Sequence, residues 1–89
     1  MRWSKNKIEI MKFLSKNYQD LFMLDSSAIQ NFAHKVILPK ETLLRYLREL
    51  VKNGYLKRIK NHLGTANYHI TQKWVDIESE IFTGYVGRD

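Results

Sequence analysis

The chain has 89 residues, 44% of them hydrophobic and 27% charged, which suits one small globular domain around a single core and argues against disorder. It has no cysteine, which excludes disulfides and thiolate metal sites and fits a reducing, intracellular setting; MRWSKNKIEI lacks the apolar segment of a signal peptide, and no apolar run approaches the roughly 20 residues of a membrane helix. The net charge of +6 is unevenly placed: residues 1–71 carry thirteen Lys and Arg against five Asp and Glu, a balance of +8, whereas residues 72–89 balance at −2, so any attraction for a polyanion belongs to the first part.

The spacing predicts a first helix over 4–17, capped by Ser4, with Ile8, Met11 and Leu14 on one face and Ile10 and Phe13 widening it. Residues 18–24 form a short apolar connector. Leu21, Phe22 and Leu24 are compatible there with a brief strand or with an irregular packed segment. Asp25, Ser26 and Ser27 are a helix-start cluster, and a second helix is expected to run to about Lys35. Ile29, Phe32, Ala33 and Val36 give it a narrow buried stripe in which Ala33 admits the close approach of another helix.

A turn of three or four residues follows. Leu38 precedes a proline and is biased away from the helical region, while Pro39 suits a first helical position. The third helix, Pro39–Asn53, is the best defined: Leu43, Leu47 and Leu50 share one face with Val51 beside them, and basic residues occupy the rest. Gly54 fits the left-handed position that ends helices, and Lys52 suits the negative end of the helix dipole. Residues 55–59 and 67–70 are strand-like, with the polar, glycine-containing segment 60–66 between them as a hairpin tip. Thr71 is placed to cap a last helix over 72–83, with Gly84 and Gly87 fraying its end.

This order of elements resembles the winged helix-turn-helix family over about residues 5–71. The buried pair Phe32-Ala33, the turn, the leucines Leu43, Leu47 and Leu50, then Gly54, Tyr55-Leu56 and Arg58 are similar to the family's central pattern. The closing Tyr68-His69-Ile70-Thr71 looks like its final wing strand. The resemblance implies an α+β, mainly α fold: a three-helix core, a two- or three-stranded β-wing and, here, an extra C-terminal helix. It also implies a sequence-specific double-stranded DNA-binding protein acting as a transcriptional regulator, with helix 39–53 in the major groove and wing 60–66 on the backbone or minor groove.

On that reading the DNA-binding residues are Lys40, Glu41, Thr42, Leu44, Arg45, Arg48 and Lys52 of the helix, with Arg58, Lys60, Asn61 and His62 of the wing. Arg45 is the choice for base readout, because a guanidinium makes a bidentate contact to guanine O6 and N7. Thr42 donates to a phosphate or touches a thymine methyl. Lys40, Arg48 and Lys52 clamp phosphates, which fixes position and not sequence. Leu44 stands where many DNA-binding relatives carry a small polar residue, and it either contacts a thymine methyl or packs inward. The competing structural reading is a solvated face laced by pairs such as Glu41–Arg45, or Glu49 with Arg45 or Lys52. Lys5, Lys7 and Lys12 of the first helix either flank the DNA backbone or are simply solvated.

Trp74, Ile77, Ile81, Phe82 and Tyr85 form an aromatic and apolar stripe on the last helix. A domain ending at residue 71 already has enough apolar residues for its own core, so the segment 72–89 is expected to pair two subunits into a homodimer; the alternative is that it folds back. His34, His62 and His69 lie on different elements without zinc-ligand spacing, and no nucleophile or phosphate-loop motif is present. The expectation is therefore a non-enzyme with no metal and no cofactor. The rival functions are a protein-interaction or assembly module on the same fold, and a binder of RNA or of replication origins.

Overall fold

The computed structural model describes residues 2–17, 22–24, 26–60 and 66–86. In chain order these form α1 (Lys5–Asn17), β1 (Phe22–Leu24), α2 (Ser26–Val36), α3 (Lys40–Lys52), β2 (Leu56–Lys60), β3 (Ala66–Ile70) and α4 (Gln72–Val86). Ser4 caps α1 as expected: its Oγ accepts the Lys7 N–H at 3.3 Å, satisfying one of the orphan donors of a helix start. Phe13 of α1 stacks on Phe32 of α2 with ring centroids 4.5 Å apart, which joins the first two helices. Leu43, Leu47 and Leu50 of α3 close the core from the third side and are wholly buried.

The connector left open by periodicity is a strand over 22–24. β1 runs antiparallel to β3, with Phe22 opposite Tyr68, and β3 lies between β1 and β2. In the β2–β3 hairpin, Arg58 is opposite Tyr68 and Lys57 opposite His69. Side chains alternate along a strand. Leu56 and Arg58 therefore share a face with Tyr68 and Ile70, and Lys57 and Ile59 share the other with His69 and Asn67. Leu56 and Tyr68 are buried, so the first of these faces lies on the helices.

The two joints around α3 use the same device. At its end, Gly54 N–H donates to Val51 O at 3.1 Å and Tyr55 N–H to Leu50 O at 3.0 Å, with Gly54 at φ 85. This is a Schellman closure, and it delays β2 by one residue from the expected start because Tyr55 is still bonded to the helix. Before α3, Ile37 N–H donates to His34 O at 3.3 Å and Leu38 N–H to Ala33 O at 3.0 Å, with Ile37 at φ 55. The same closure is made there with a β-branched residue, at a conformational cost of about 1–2 kcal/mol relative to a right-handed residue. Pro39 then has φ −59 and ψ 147 and is the residue before α3, not its first helical residue.

α4 is rooted in this body. Thr71 Oγ1 donates to Gly54 O at 2.6 Å, so its hydroxyl ties α4 to the end of α3 where a capping role was expected. Trp74 is fully buried, and its Nε1 donates to Ser15 Oγ at 2.9 Å. The helix continues through Gly84 to Val86, beyond the expected end at 83. A single mid-helix glycine costs only about 1 kcal/mol, too little to stop a helix held at its other end.

Candidate nucleic-acid interface

α3 presents three longitudinal strips. Leu43, Leu47 and Leu50 form the buried one. Opposite them, Glu41, Arg45, Arg48 and Lys52 are exposed at spacings of four, three and four, which makes a single ridge along the helix. Lys40 is exposed at its start. Thr42 lies to one side with Tyr46 and Glu49, half-buried on the flank nearest α1. Leu44 lies on the other flank with Val51; both are half-buried and pack against the core.

Of the two acids expected to pair with this ridge, Glu41 and Glu49, the second is committed elsewhere. Glu49 Oε1 receives Lys7 Nζ at 2.5 Å, and Lys7 Nζ also donates to Arg2 O at 2.9 Å. Lys7 is buried, with 8% of its side chain exposed, so it neither flanks DNA nor sits in solvent. A lysine inside the periodicity of an amphipathic helix looks solvated in sequence; the partner that buries it lies 42 positions away. Lys7–Glu49 is the ion pair found among the described residues, and Arg45, Arg48 and Lys52 make none there. Arg45 lies over the ring of its neighbour Tyr46 at 5.6 Å from the centroid, near the outer limit of a cation–π contact. Tyr46 is steadied in turn by Asn6, whose Nδ2 is 3.3 Å from its hydroxyl.

No side chain caps the start of α3, so its first N–H groups and the positive end of its dipole face outward beside the exposed Lys40. The turn ahead of it carries a residue that sequence reasoning passed over. Ile37 is 87% exposed, and it lines a shallow open concavity with Ala33, His34, Lys35, Leu38 and Pro39. The available signal was its position, one after the last periodic apolar residue Val36, where a helix terminator normally places glycine.

On the wing, Arg58 and Lys60 are exposed; Arg58 prolongs the sheet face of Leu56 outward past the core. Lys57 is exposed on the opposite face. Asn61 and His62 lie outside the described residues. The joint between α3 and the wing is held by α4: Lys73 Nζ donates to Asn53 O at 2.7 Å and sits 4.6 Å from the centroid of the Tyr55 ring. Trp3 packs against Tyr55 at 4.8 Å and Trp74 at 5.2 Å between ring centroids.

Of the residues expected to pair subunits, Trp74 is spent on the subunit's own core. Ile77 and Ile81 are half-buried and pack against the same core, and Val75 is 52% exposed on another side of α4. The side chains of Phe82 and Tyr85 lie outside the described ones. Among the described residues no group of three His, Asp or Glu is placed to hold a metal ion, and no helix is long and apolar enough to cross a membrane.

No protein-family model matches the chain, and no curated protein matches it in sequence. Among solved structures it is similar to MepR, a transcription regulator of the Staphylococcus aureus multidrug efflux pump MepA, with a TM-score of 0.58 at 15% identity. The superposition covers 97% of this chain and 65% of that one, so the chain spans just under two thirds of the length of MepR. A likeness at that identity speaks for the fold alone: α+β, mainly α, a winged helix-turn-helix with a fourth helix after the wing.

Proposed function

We propose that the chain is a sequence-specific binder of double-stranded DNA that acts as a transcriptional regulator. The observation that carries the reading is the α3 ridge: Arg45, Arg48 and Lys52 stand in one exposed row with no ion pair to a carboxylate among the described residues, and Glu49 is held by Lys7. With α3 in a major groove, Arg45 reads guanine O6 and N7, and Glu41 accepts from a cytosine N4 amino group. Lys40, Arg48 and Lys52 contact phosphates, and the uncapped start of α3 faces them with its positive dipole end. Arg58 and Lys60 lie with the wing along the adjacent backbone or minor groove. Thr42, on the flank toward α1, meets a phosphate at the groove wall.

Residues 72–89 are the proposed handle that pairs two subunits, with Ile77, Ile81, Phe82 and Tyr85 in the seam and the first turn of α4 staying in its own subunit through Trp74. A twofold pair would meet half-sites about one helical turn apart. DNA as the partner places the protein inside the cell.

Titration of duplex DNA at a series of salt concentrations tests the reading. The three phosphate contacts of α3 alone give a log–log slope of about −3 per subunit, steeper where Arg58 and Lys60 also meet phosphates and doubled for a pair. Absence of binding to any duplex at low salt overturns it, and a monomer in sedimentation at about tens of micromolar overturns the pairing.

A further inference from the structure

Ile37 combines two properties that a residue serving only its own subunit would not have. Its backbone is left-handed, at φ 55, and its side chain is 87% exposed without packing on the core. The equivalent place at the end of α3 is filled by Gly54 at φ 85, with the same pair of hydrogen bonds. Glycine at 37 would make the same closure without the strain and without an isoleucine in water. A strained residue whose side chain is not used inside the subunit points to use outside it.

The surroundings identify the occupant. Exposed Lys35 and Lys40 stand on either side of Ile37, and the uncapped start of α3 follows three residues later. Lys35 lines the same concavity as Ile37, and an exposed apolar side chain beside positive charge suits a polyanion that itself carries apolar groups. In helix-turn-helix docking the first helix crosses the backbone and the second enters the major groove by its N-terminal end. The turn between them therefore comes to the rim of the groove. The apolar groups that a duplex offers there are the thymine C5-methyl and the carbons of deoxyribose.

We propose that Ile37 makes an apolar contact with duplex DNA at the rim of the major groove, seated on a thymine methyl or on a deoxyribose. The inference rests on the duplex-binding reading above and adds a residue to it that neither charge nor hydrogen bonding would have selected.

The test uses the whole chain and the duplex it selects from a random pool, with Ile37→Leu, Ile37→Asn and Ile37→Gly beside the parent. Asparagine and glycine accept the left-handed turn but lack the apolar contact. Both are expected to weaken binding by about five-fold or more, the size of losing a buried methyl or two, with the salt slope unchanged because no counterion is involved. Leucine should stay within about two-fold of the parent. Ile37→Gly should also melt at a higher temperature, which shows that the turn is intact. Replacing single thymines by deoxyuridine separates the two contacts: a position where the parent loses affinity and Ile37→Asn does not marks the methyl, and no such position marks the sugar. Asparagine and glycine variants that bind like the parent overturn the proposal. So does an equal loss in all three variants, which would make the turn's shape the cause, or a loss of self-association with duplex binding intact. A parent protein that binds no duplex at low salt fails the functional reading itself, and is distinguished from these outcomes by failing before any variant is compared.

Discussion

Lys7 Nζ lies 2.5 Å from Glu49 Oε1, so a buried ammonium on α1 holds the flank of α3 that borders its exposed ridge. The two ends of this pair are unequal: 8% of the Lys7 side chain is exposed and 40% of that of Glu49. Removing Glu49 strands a buried charge, whereas removing Lys7 lets the carboxylate turn to water. Glu49→Ala should therefore cost about 1–3 kcal/mol of stability, and Lys7→Met less than about 1 kcal/mol. Urea unfolding of the two variants checks the order, and the reverse order would show that burial is not what governs the pair.

Trp74 is expected to be the costliest position on α4. Truncation to alanine empties a fully buried site and frees the Ser15 hydroxyl, a loss of about 3–5 kcal/mol. Trp74→Phe keeps most of the volume and loses the hydrogen bond, for about 1–2 kcal/mol. If chemical denaturation finds Trp74→Ala near neutral, α4 is not rooted in the subunit.

Gly54→Ala isolates backbone strain from crowding. A Cβ there would meet Lys73 Cδ at 3.6 Å, an ordinary contact, so the cost comes from φ 85 alone. The expected destabilisation is about 1–2 kcal/mol. A thermal melt unchanged by this substitution would mean that the α3–β2 joint relaxes to another closure.

Arg45 and Lys52 sit on the same ridge and should fail differently. Arg45→Ala should relax preference at one base pair by about 1–3 kcal/mol, the size of a bidentate contact to guanine. Lys52→Ala should weaken all duplexes alike and reduce the salt slope by about 0.9. Competition binding with single-base variants of the selected duplex reads both, and exchange of the two patterns would place the other end of α3 in the groove.

The parts of the fold that were legible in sequence are those set by short-range repetition. Leu43, Leu47 and Leu50 announce their face by spacing, Ser4 and Gly54 announce the helix ends by their chemistry, and Pro39 announces the start of α3 to within one residue. What depended on distant partners was not legible. Lys7 looked like any surface lysine until Glu49 was brought beside it from 42 positions away. Residues 22–24 became a strand because β3 offered an edge, not because three residues carry a period. The exposed ridge of α3 was readable from the helical wheel, whereas the packing of Leu44 needed the core to be assembled. Ile37 was hidden for the opposite reason: an apolar residue after a helix looks like core, and only the backbone shows it turned out to water.

The cluster of Trp3, Tyr55 and Trp74 gives the molecule a built-in optical probe. Both tryptophans of the chain belong to it, and their rings are 5.2 Å apart. Indole emission and near-ultraviolet dichroism therefore report one place, the seat of α4 on the joint between α3 and the wing, while the ridge of α3 and Ile37 carry no indole. A change in that signal when DNA is added would mean that binding is felt at the seat of α4.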